Sequence, residues 1–414
     1  MRRRFKTGLC FLITVSVVLT VAATGTAAAK TQTIPSPITF YDHAPSGWRA
    51  EPVGTLLKWE RVTASWPALH GLRGYRVMYV SRGALNEKVF ETGMVYFPIG
   101  VPAPGSGFRL VAWDHGTSGV GDSAAPSRYP WLYPEPVSTP WDTYAQWVGK
   151  VGRMGYIVAC PDYEGLGTPG LHTYLNAAAE GRATIDAVRA ARHLAVRLGV
   201  RVSTRWAVTG HSQGGQAALA TAELARTYGK GLKLRGTVAA APAVEMATII
   251  PLSASEWMGY PYSGYTAWGI RAIDPTFDFS TFCGTWILPV IDQAKDDYFD
   301  QWWDLLLSAH LDGSGNPLDP GPGEALTTTW DQSAAVQTFL TATDVESTRA
   351  TGPVLILQGT DDDFYQTLDT LTDKLTALGD DLQIVTLTGQ DHDGAITAGW
   401  PWAKAFLEDT LPAR

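Results

Sequence analysis

Cysteine is nearly missing from this chain: three in 414 residues, at positions 10, 160 and 283. So few thiols exclude a small disulfide-stapled scaffold. Cys160 and Cys283 have no nearby histidine partners, so they do not make a zinc site. An oxidising compartment would let those two pair, but Cys160 closes the apolar run Tyr156–Ala159 and suits a buried free thiol equally well. Charge is also sparse, at 17 % of residues, with 40 acidic against 32 basic side chains and a formal net charge of −8. That balance argues against nucleic acid and anionic membrane surfaces as partners. Beyond residue 29 there is no run of 18 or more apolar residues, which leaves no candidate membrane span. Internal repeats and long low-complexity segments are missing as well.

What is present begins at the N-terminus. Arg2, Arg3, Arg4 and Lys6 precede an apolar run, Leu9–Val21, and Ala27-Ala28-Ala29 stands before Lys30. This order predicts a secretory signal peptide over residues 1–29, and hence a secreted, extracellular protein with no anchor left after cleavage. Cys10 lies too near the start, with the wrong flanks, for a lipoprotein anchor. Removing residues 1–29 leaves 385 of the 414 residues and takes away four basic side chains and no acidic one, moving the formal charge from −8 to −12. Such a length allows one large domain carrying an insertion.

Further along, strand-like and helical runs alternate, the pattern of a mostly parallel central sheet flanked by helices. Strands are expected at Tyr75–Val80 and Glu91–Phe97, as an antiparallel pair. Others are expected at Phe108–Trp113, Tyr156–Cys160, Arg205–Thr209, Leu234–Ala240, Pro353–Gln358 and Gln383–Thr388. Helices are expected at Tyr144–Arg153, Asn176–Leu198, Gly215–Tyr228 with Gly229 as its C-cap, and Thr397–Asp409. About a hundred residues separate the strand at Leu234 from that at Pro353, far more than a βα connection needs. The expected organisation is therefore a core in two parts, residues 30–243 and 351–414, with a cap inserted at 244–350. Aromatic side chains from Trp257 to Trp303 crowd the first half of that cap, and a Gly- and Pro-rich loop, Asp312–Gly323, follows. They either wall a substrate pocket or form the cap's own core.

The chemistry centres on Gly210-His211-Ser212-Gln213-Gly214-Gly215, which fits G-x-S-x-G between a strand and a helix. That context is the nucleophile elbow of an α/β-hydrolase fold. A serine hydroxyl needs a base to take its proton, and in this fold the acid and then the histidine follow the serine along the chain. Val354–Gly359 leads into Asp361-Asp362-Asp363, and Ile384–Thr388 leads into His392. Asp362 is the chosen acid, three residues past Gly359; three adjacent acids could also be a solvated turn or part of a calcium site. His392 is preferred as the base, with His211 lining the site. The oxyanion donors are expected to be the backbone amide of Gln213 and, in the loop Asp114–Gly119, that of Thr117.

Taken together these residues resemble the secretory lipase family of α/β-hydrolases found in fungi and actinobacteria. Gly210–Gly215 matches its G-H-S-Q-G-G, Pro161-Asp162-Tyr163-Glu164-Gly165-Leu166-Gly167 its D-Y-E-G-L-G, and Ala112–Gly119 its oxyanion segment. Gly54–Leu57 and Tyr75–Ser81 are similar to its N-terminal region. Members often carry a cysteine near Ala124–Ser127; this chain has none there, so that disulfide cannot form. The resemblance implies hydrolysis of carboxylic esters, including triacylglycerols, without a cofactor, on a small-molecule ester or lipid substrate. An acyltransferase on the same scaffold and a non-catalytic binding protein are the alternatives. Asp162 and Glu164 precede the elbow and read as structural loop acids that pair with arginine.

Overall fold

The computed structural model describes residues 40–62, 67–131, 140–255, 259–295, 306 and 324–413. The expected signal peptide lies outside the described residues, as do Trp257, Tyr298, Phe299, Trp302, Trp303 and the loop Asp312–Gly323.

Nine strands form one sheet: β1 (Leu56–Val62), β2 (Leu72–Arg82), β3 (Lys88–Pro98), β4 (Phe108–Asp114), β5 (Ile157–Pro161), β6 (Val202–His211), β7 (Lys233–Ala240), β8 (Val354–Gly359) and β9 (Leu382–Leu387). Their spatial order is β1-β2-β3-β5-β4-β6-β7-β8-β9. β2 and β3 make the expected antiparallel hairpin, with Tyr75 opposite Val95. β1 joins β2 antiparallel, and β5 joins β3 in the same sense. From β5 onward all neighbours are parallel.

Both faces of the parallel part are covered, so its strands read as continuous apolar runs rather than alternating ones. Every residue of β4 and of β8 is buried. Period-two geometry sends Leu110, Ala112, Val208 and Ile356 into one apolar layer, and Val111, Trp113, Ala207 and Leu357 into the other. The first layer packs on α2 (Ala177–Arg197) and α3 (Gln213–Leu224); the second packs on α1 (Pro140–Arg153). Tyr144, Trp147, Val148 and Val151 give α1 its inward stripe at helical spacing. Asn176 caps α2, its Oδ1 accepting from the Ala179 amide at 3.0 Å.

Between β7 and β8 lie α4 (Met246–Ser253), α5 (Tyr260–Ile273) and α6 (Ala334–Ala342). They share a third apolar cluster that includes Tyr260, Tyr265, Trp268, Phe277, Phe279 and Phe282. These aromatics pack edge to face on one another, as Trp268 does on Phe279 with centroids 4.8 Å apart. After β8 come α7 (Leu368–Ala377), α8 (Gly394–Thr397) and α9 (Trp400–Thr410).

Several local expectations differ from the fold. The helix after the elbow starts at Gln213, two residues early, and stops at Leu224, so Gly229 is not its cap. Tertiary contacts draw the chain out of the helix there: the Tyr228 hydroxyl donates to Asp186 of α2 at 2.6 Å, and its carbonyl accepts from Arg189. The closing helix is split between α8 and α9. Strand β1 was not among the expected elements, nor was helix α7, although its buried Leu368, Leu371 and Leu375 recur at helical spacing. Cys160 and Cys283 are both free thiols.

The backbone packs closely on itself at the β6–α3 junction. A methyl group built on Gly214 would overlap the carbonyl oxygen of Asp114, and one on Gly210 the carbonyl oxygen of Gly214. Gly214→Ala should therefore destabilise the protein by about 1–3 kcal/mol or more, read as a fall in thermal midpoint. A variant melting with the wild type would contradict this packing.

Candidate active site

Ser212 follows directly on β6, whose last residues pair with Asp114 of β4 and Ala240 of β7 at the C-terminal edge of the sheet. Its backbone has φ 59° and ψ −122°, a conformation that costs an L-residue about 1–3 kcal/mol. Hydrogen bonds pin it there. The Ser212 amide donates to Ala240 at 3.0 Å, and its carbonyl accepts from Gly215, Gln216 and Ala243 at 2.9–3.1 Å. α3 begins at the next residue, so the Gln213 amide at its start has no intrahelical acceptor. Thr117 lies in the loop after β4 and faces the same space, with its hydroxyl 2.8 Å from that of Tyr174.

Asp362 and His392 meet across the ends of β8 and β9. His392 Nδ1 donates to Asp362 Oδ2 at 2.9 Å, which leaves the Nε2 lone pair as the basic one. Two further donors hold the carboxylate: Gln358 Nε2 on Oδ2 at 2.7 Å, and the Phe364 amide on Oδ1 at 3.0 Å. Asp362 is buried, whereas its neighbours Asp361 and Asp363 are exposed. Of the three acids, only Asp362 is hydrogen-bonded to His392 among the described residues.

Electrostatics follow from this contact. Burial works against the charged forms of both partners, and their mutual bond outweighs it. The Asp362 pKa is held below its ordinary value by the His392 hydrogen bond and charge. The His392 pKa is held above its ordinary value by Asp362, with Asp393 and Asp391 adding to the effect. The imidazole keeps 32 % of its side-chain surface open, while the Asp362 side chain keeps 3 %.

Ser212, Thr117, Asp362 and His392 all line one cavity of about 500 Å³. Met246, Ile249 and Ile250 of α4 supply an aliphatic wall, and Leu175 and Phe364 extend it. Asp363, Asp391 and Asp393 stand beside His392. Among the described aromatics between β7 and β8, only Tyr262 reaches the cavity; the others pack in the third apolar cluster.

His211 does not line this cavity. It is buried beneath His392, where Nδ1 accepts from the Tyr144 hydroxyl at 2.9 Å and Nε2 donates to the His392 carbonyl at 3.0 Å. Burial first, and then the neighbouring His392 charge, push its pKa down to about 3, so it is a neutral strut. Asp162 and Glu164 are structural, as expected, but their hydrogen bonds come from amides and hydroxyls rather than arginine. Asp162 accepts from the Ser127 amide at 2.8 Å and Thr92 Oγ1 at 2.7 Å; Glu164 accepts from the Ala84 amide at 2.9 Å and Thr173 Oγ1 at 2.8 Å. Sequence reasoning missed Gln358, Tyr144 and Phe364. Gln358, the buried amide four residues ahead of Asp362, carried the one signal that could have been read.

The His392–Asp362 bond sets a pH window for stability. The raised histidine pKa contributes stability that is full below its unfolded value and lost as pH rises through the folded one. The lowered aspartate pKa contributes stability that is present above its unfolded value and lost as pH falls through the folded one. Asp362→Asn should therefore destabilise most between about pH 4 and 6.5. In NMR titration the His392 pKa should fall in Asp362→Asn and stay near the wild-type value in Asp361→Asn. Equal shifts in the two variants would refute the pairing.

Comparison with known proteins now adds to this geometry. The secreted triacylglycerol lipase LIP4 of Malassezia globosa is 26 % identical over 234 residues, which are 56 % of this chain and 49 % of that protein. The chain thus spans about half the length of this curated relative. Among solved structures, Candida antarctica lipase A in its closed state superposes with a TM-score of 0.70 at 18 % identity, covering 91 % of this chain and 87 % of that one. The rice cell wall degrading esterase LipA of Xanthomonas oryzae gives a TM-score of 0.66 at 20 % identity, over 88 % and 100 % of the two chains. At these identities the two structures establish the fold, that of α/β-hydrolases. The sequence pattern of the Secretory lipase family matches residues 142–413, from α1 through the elbow, Asp362 and His392 to the C-terminal end of the described chain. The chain belongs to the Secretory lipase family.

Proposed function

We propose that this protein is a secreted carboxylic-ester hydrolase that works through a serine acyl-enzyme, with acylglycerols or similar lipid esters as substrates. The observation that carries the reading is one cavity shared by Ser212, at the tip of a strained strand–helix turn, and His392, already paired through Nδ1 with Asp362.

In this mechanism His392 Nε2 takes the Ser212 proton as Oγ attacks the ester carbonyl. Asp362 holds the imidazole in the tautomer with Nε2 free and stabilises the imidazolium that forms. The amides of Gln213 and Thr117 donate to the oxyanion, where fixed dipoles act without reorganisation. His392 then protonates the departing alcohol, leaving an acyl-Ser212 ester. A water, deprotonated by His392, releases the acid and frees the serine. Nucleophile, base and charge-stabilising donors all come from the chain, so these steps call for no cofactor.

The cap at residues 244–350 supplies the α4 wall, whose aliphatic surface suits an acyl chain. Cleavage after residue 29 would release the protein outside the cell, in line with a family of secretory lipases. No helix of the described residues is long and apolar enough to cross a membrane.

Ser212→Ala should lose on the order of 10⁴-fold or more in kcat while melting like the wild type, and should no longer be labelled by a fluorophosphonate. Ester turnover retained by the folded, purified variant would refute the mechanism. The α4 wall generates a second expectation. From acetate to longer p-nitrophenyl esters, kcat/KM should rise by about fourfold per methylene, the equivalent of roughly 0.8 kcal/mol, until the cavity is full. A steady fall from acetate onward would mean that the cap closes the acyl site, and the protein would be a short-chain esterase.

A further inference from the structure

The segment His172–Asn176, just ahead of α2, touches both residues whose amides are proposed to bind the oxyanion. On the Gln213 side, the side-chain Nε2 donates to Glu180 Oε1 at 2.7 Å and to His172 Nε2 at 3.0 Å. Glu180 Oε1 also accepts from the Leu175 amide at 3.0 Å. On the Thr117 side, the hydroxyl lies 2.8 Å from that of Tyr174. The Leu175 carbonyl accepts from Gln216 of α3 at 2.9 Å, and Leu175 itself is held at φ 58°. His172, Tyr174, Glu180 and Gln213 are all buried.

Hydrogen-bond logic makes the orientation unique. His172 Nδ1 faces the Glu164 carbonyl at 2.7 Å and must carry the proton, so Nε2 can only accept. The Gln213 atom beside it is therefore the amide nitrogen. Burial pushes the His172 pKa down to about 3, keeping the ring neutral. Burial also raises the Glu180 carboxyl well above its ordinary value, against the opposing bonds from Gln213 and Leu175. No partner meets Glu180 Oε2 among the described residues, which is the environment of a neutral acid rather than a carboxylate.

We propose that His172, Tyr174 and Glu180 are positioning residues that lock Gln213 and Thr117, so that one short segment aligns both donors of the oxyanion site. This rests on the serine-hydrolase reading above. The Gln213 side chain is clamped by these two bonds, and its backbone amide is the one proposed to bind the oxyanion. Freed, it would let the first turn of α3 rotate and misdirect that amide. Displacements of about 1 Å in such a constellation cost on the order of 10²-fold in rate. Tyr174 acts in the same way on the loop that carries Thr117.

The test compares Glu180→Ala, Glu180→Gln and Tyr174→Phe with the wild type, using p-nitrophenyl butyrate as substrate. Two ligands accompany it: butylboronic acid, which adds to a reactive serine as a tetrahedral mimic, and an unreactive ether analogue of the ester. Glu180→Ala should lower kcat by roughly 10- to 100-fold with KM nearly unchanged. Its boronate affinity should fall in parallel, and its ether affinity should not. Glu180→Gln keeps the acceptor and carries no charge, so it should recover to within a few-fold of wild type. Tyr174→Phe removes a single hydroxyl, remains informative if Glu180→Ala does not fold, and should also lose kcat and boronate affinity together. Unchanged boronate affinity in Glu180→Ala and Tyr174→Phe would overturn the inference, as would Glu180→Gln behaving like Glu180→Ala. A wild type that neither hydrolyses the ester nor binds the boronate would instead overturn the serine mechanism, and this inference with it.

Discussion

The arrangement depends on one backbone conformation, that of Ser212. An L-residue at positive φ with ψ −122° is unfavourable in isolation, and here four hydrogen bonds and two close approaches impose it. Gly210 and Gly214 let the turn fold against β4 closely enough that no side chain fits between. The return is geometric. The side chain leaves the sheet at its C-terminal edge, and the next residue, Gln213, opens a helix with its amide free of an intrahelical partner. The parallel sheet serves this turn by fixing β4 and β7 on either side of β6, so the loops carrying Thr117 and Ala243 arrive at the same edge.

Two histidines near that turn illustrate how environment, rather than residue type, assigns a role. His211 and His392 have centroids 4.7 Å apart. His211 has no carboxylate partner among its hydrogen bonds and is enclosed, so burial dominates and keeps it neutral; it can only bridge Tyr144 to the His392 backbone. His392 remains partly open and faces Asp362, so the ion pair dominates. Placing a neutral ring beneath a chargeable one avoids a second buried charge where an imidazolium would form.

The segment between β7 and β8 divides its labour in a similar way. Its aromatics pack on each other, while the surface that lines the cavity with Ser212 combines Met246, Ile249 and Ile250 of α4 with Ser253 and with Tyr262, Ser263 and Thr266 of α5. On the other side of the cavity the acids around His392 make the surroundings unfavourable for an anion such as a released carboxylate.

Much of the core was legible because local rules and the global fold agree in it. β4 and β8 throughout, and β6 and β7 in their C-terminal halves, are buried without alternation, which is the signature of strands covered on both faces. The spacing of Ser212, Asp362 and His392 along the chain follows from strand order, since each stands at or beyond the C-terminal end of a parallel strand. Family resemblance was carried by glycines and acids whose roles are backbone-level and therefore leave a trace in sequence. Side-chain partnerships across long sequence distances left none. That His211 holds the His392 carbonyl, and that the segment before α2 contacts both Thr117 and Gln213, depend on contacts between residues 41 to 181 positions apart. The end of α3 was decided in the same way, by Tyr228 reaching α2 instead of continuing the helix. Sequence alone determined the alternation of strands and helices and which residues follow each strand, because periodicity and turn residues are local properties of the chain. Only the tertiary structure decided which side chains are buried, neutral or paired, because burial and charge depend on neighbours that the chain brings together by folding.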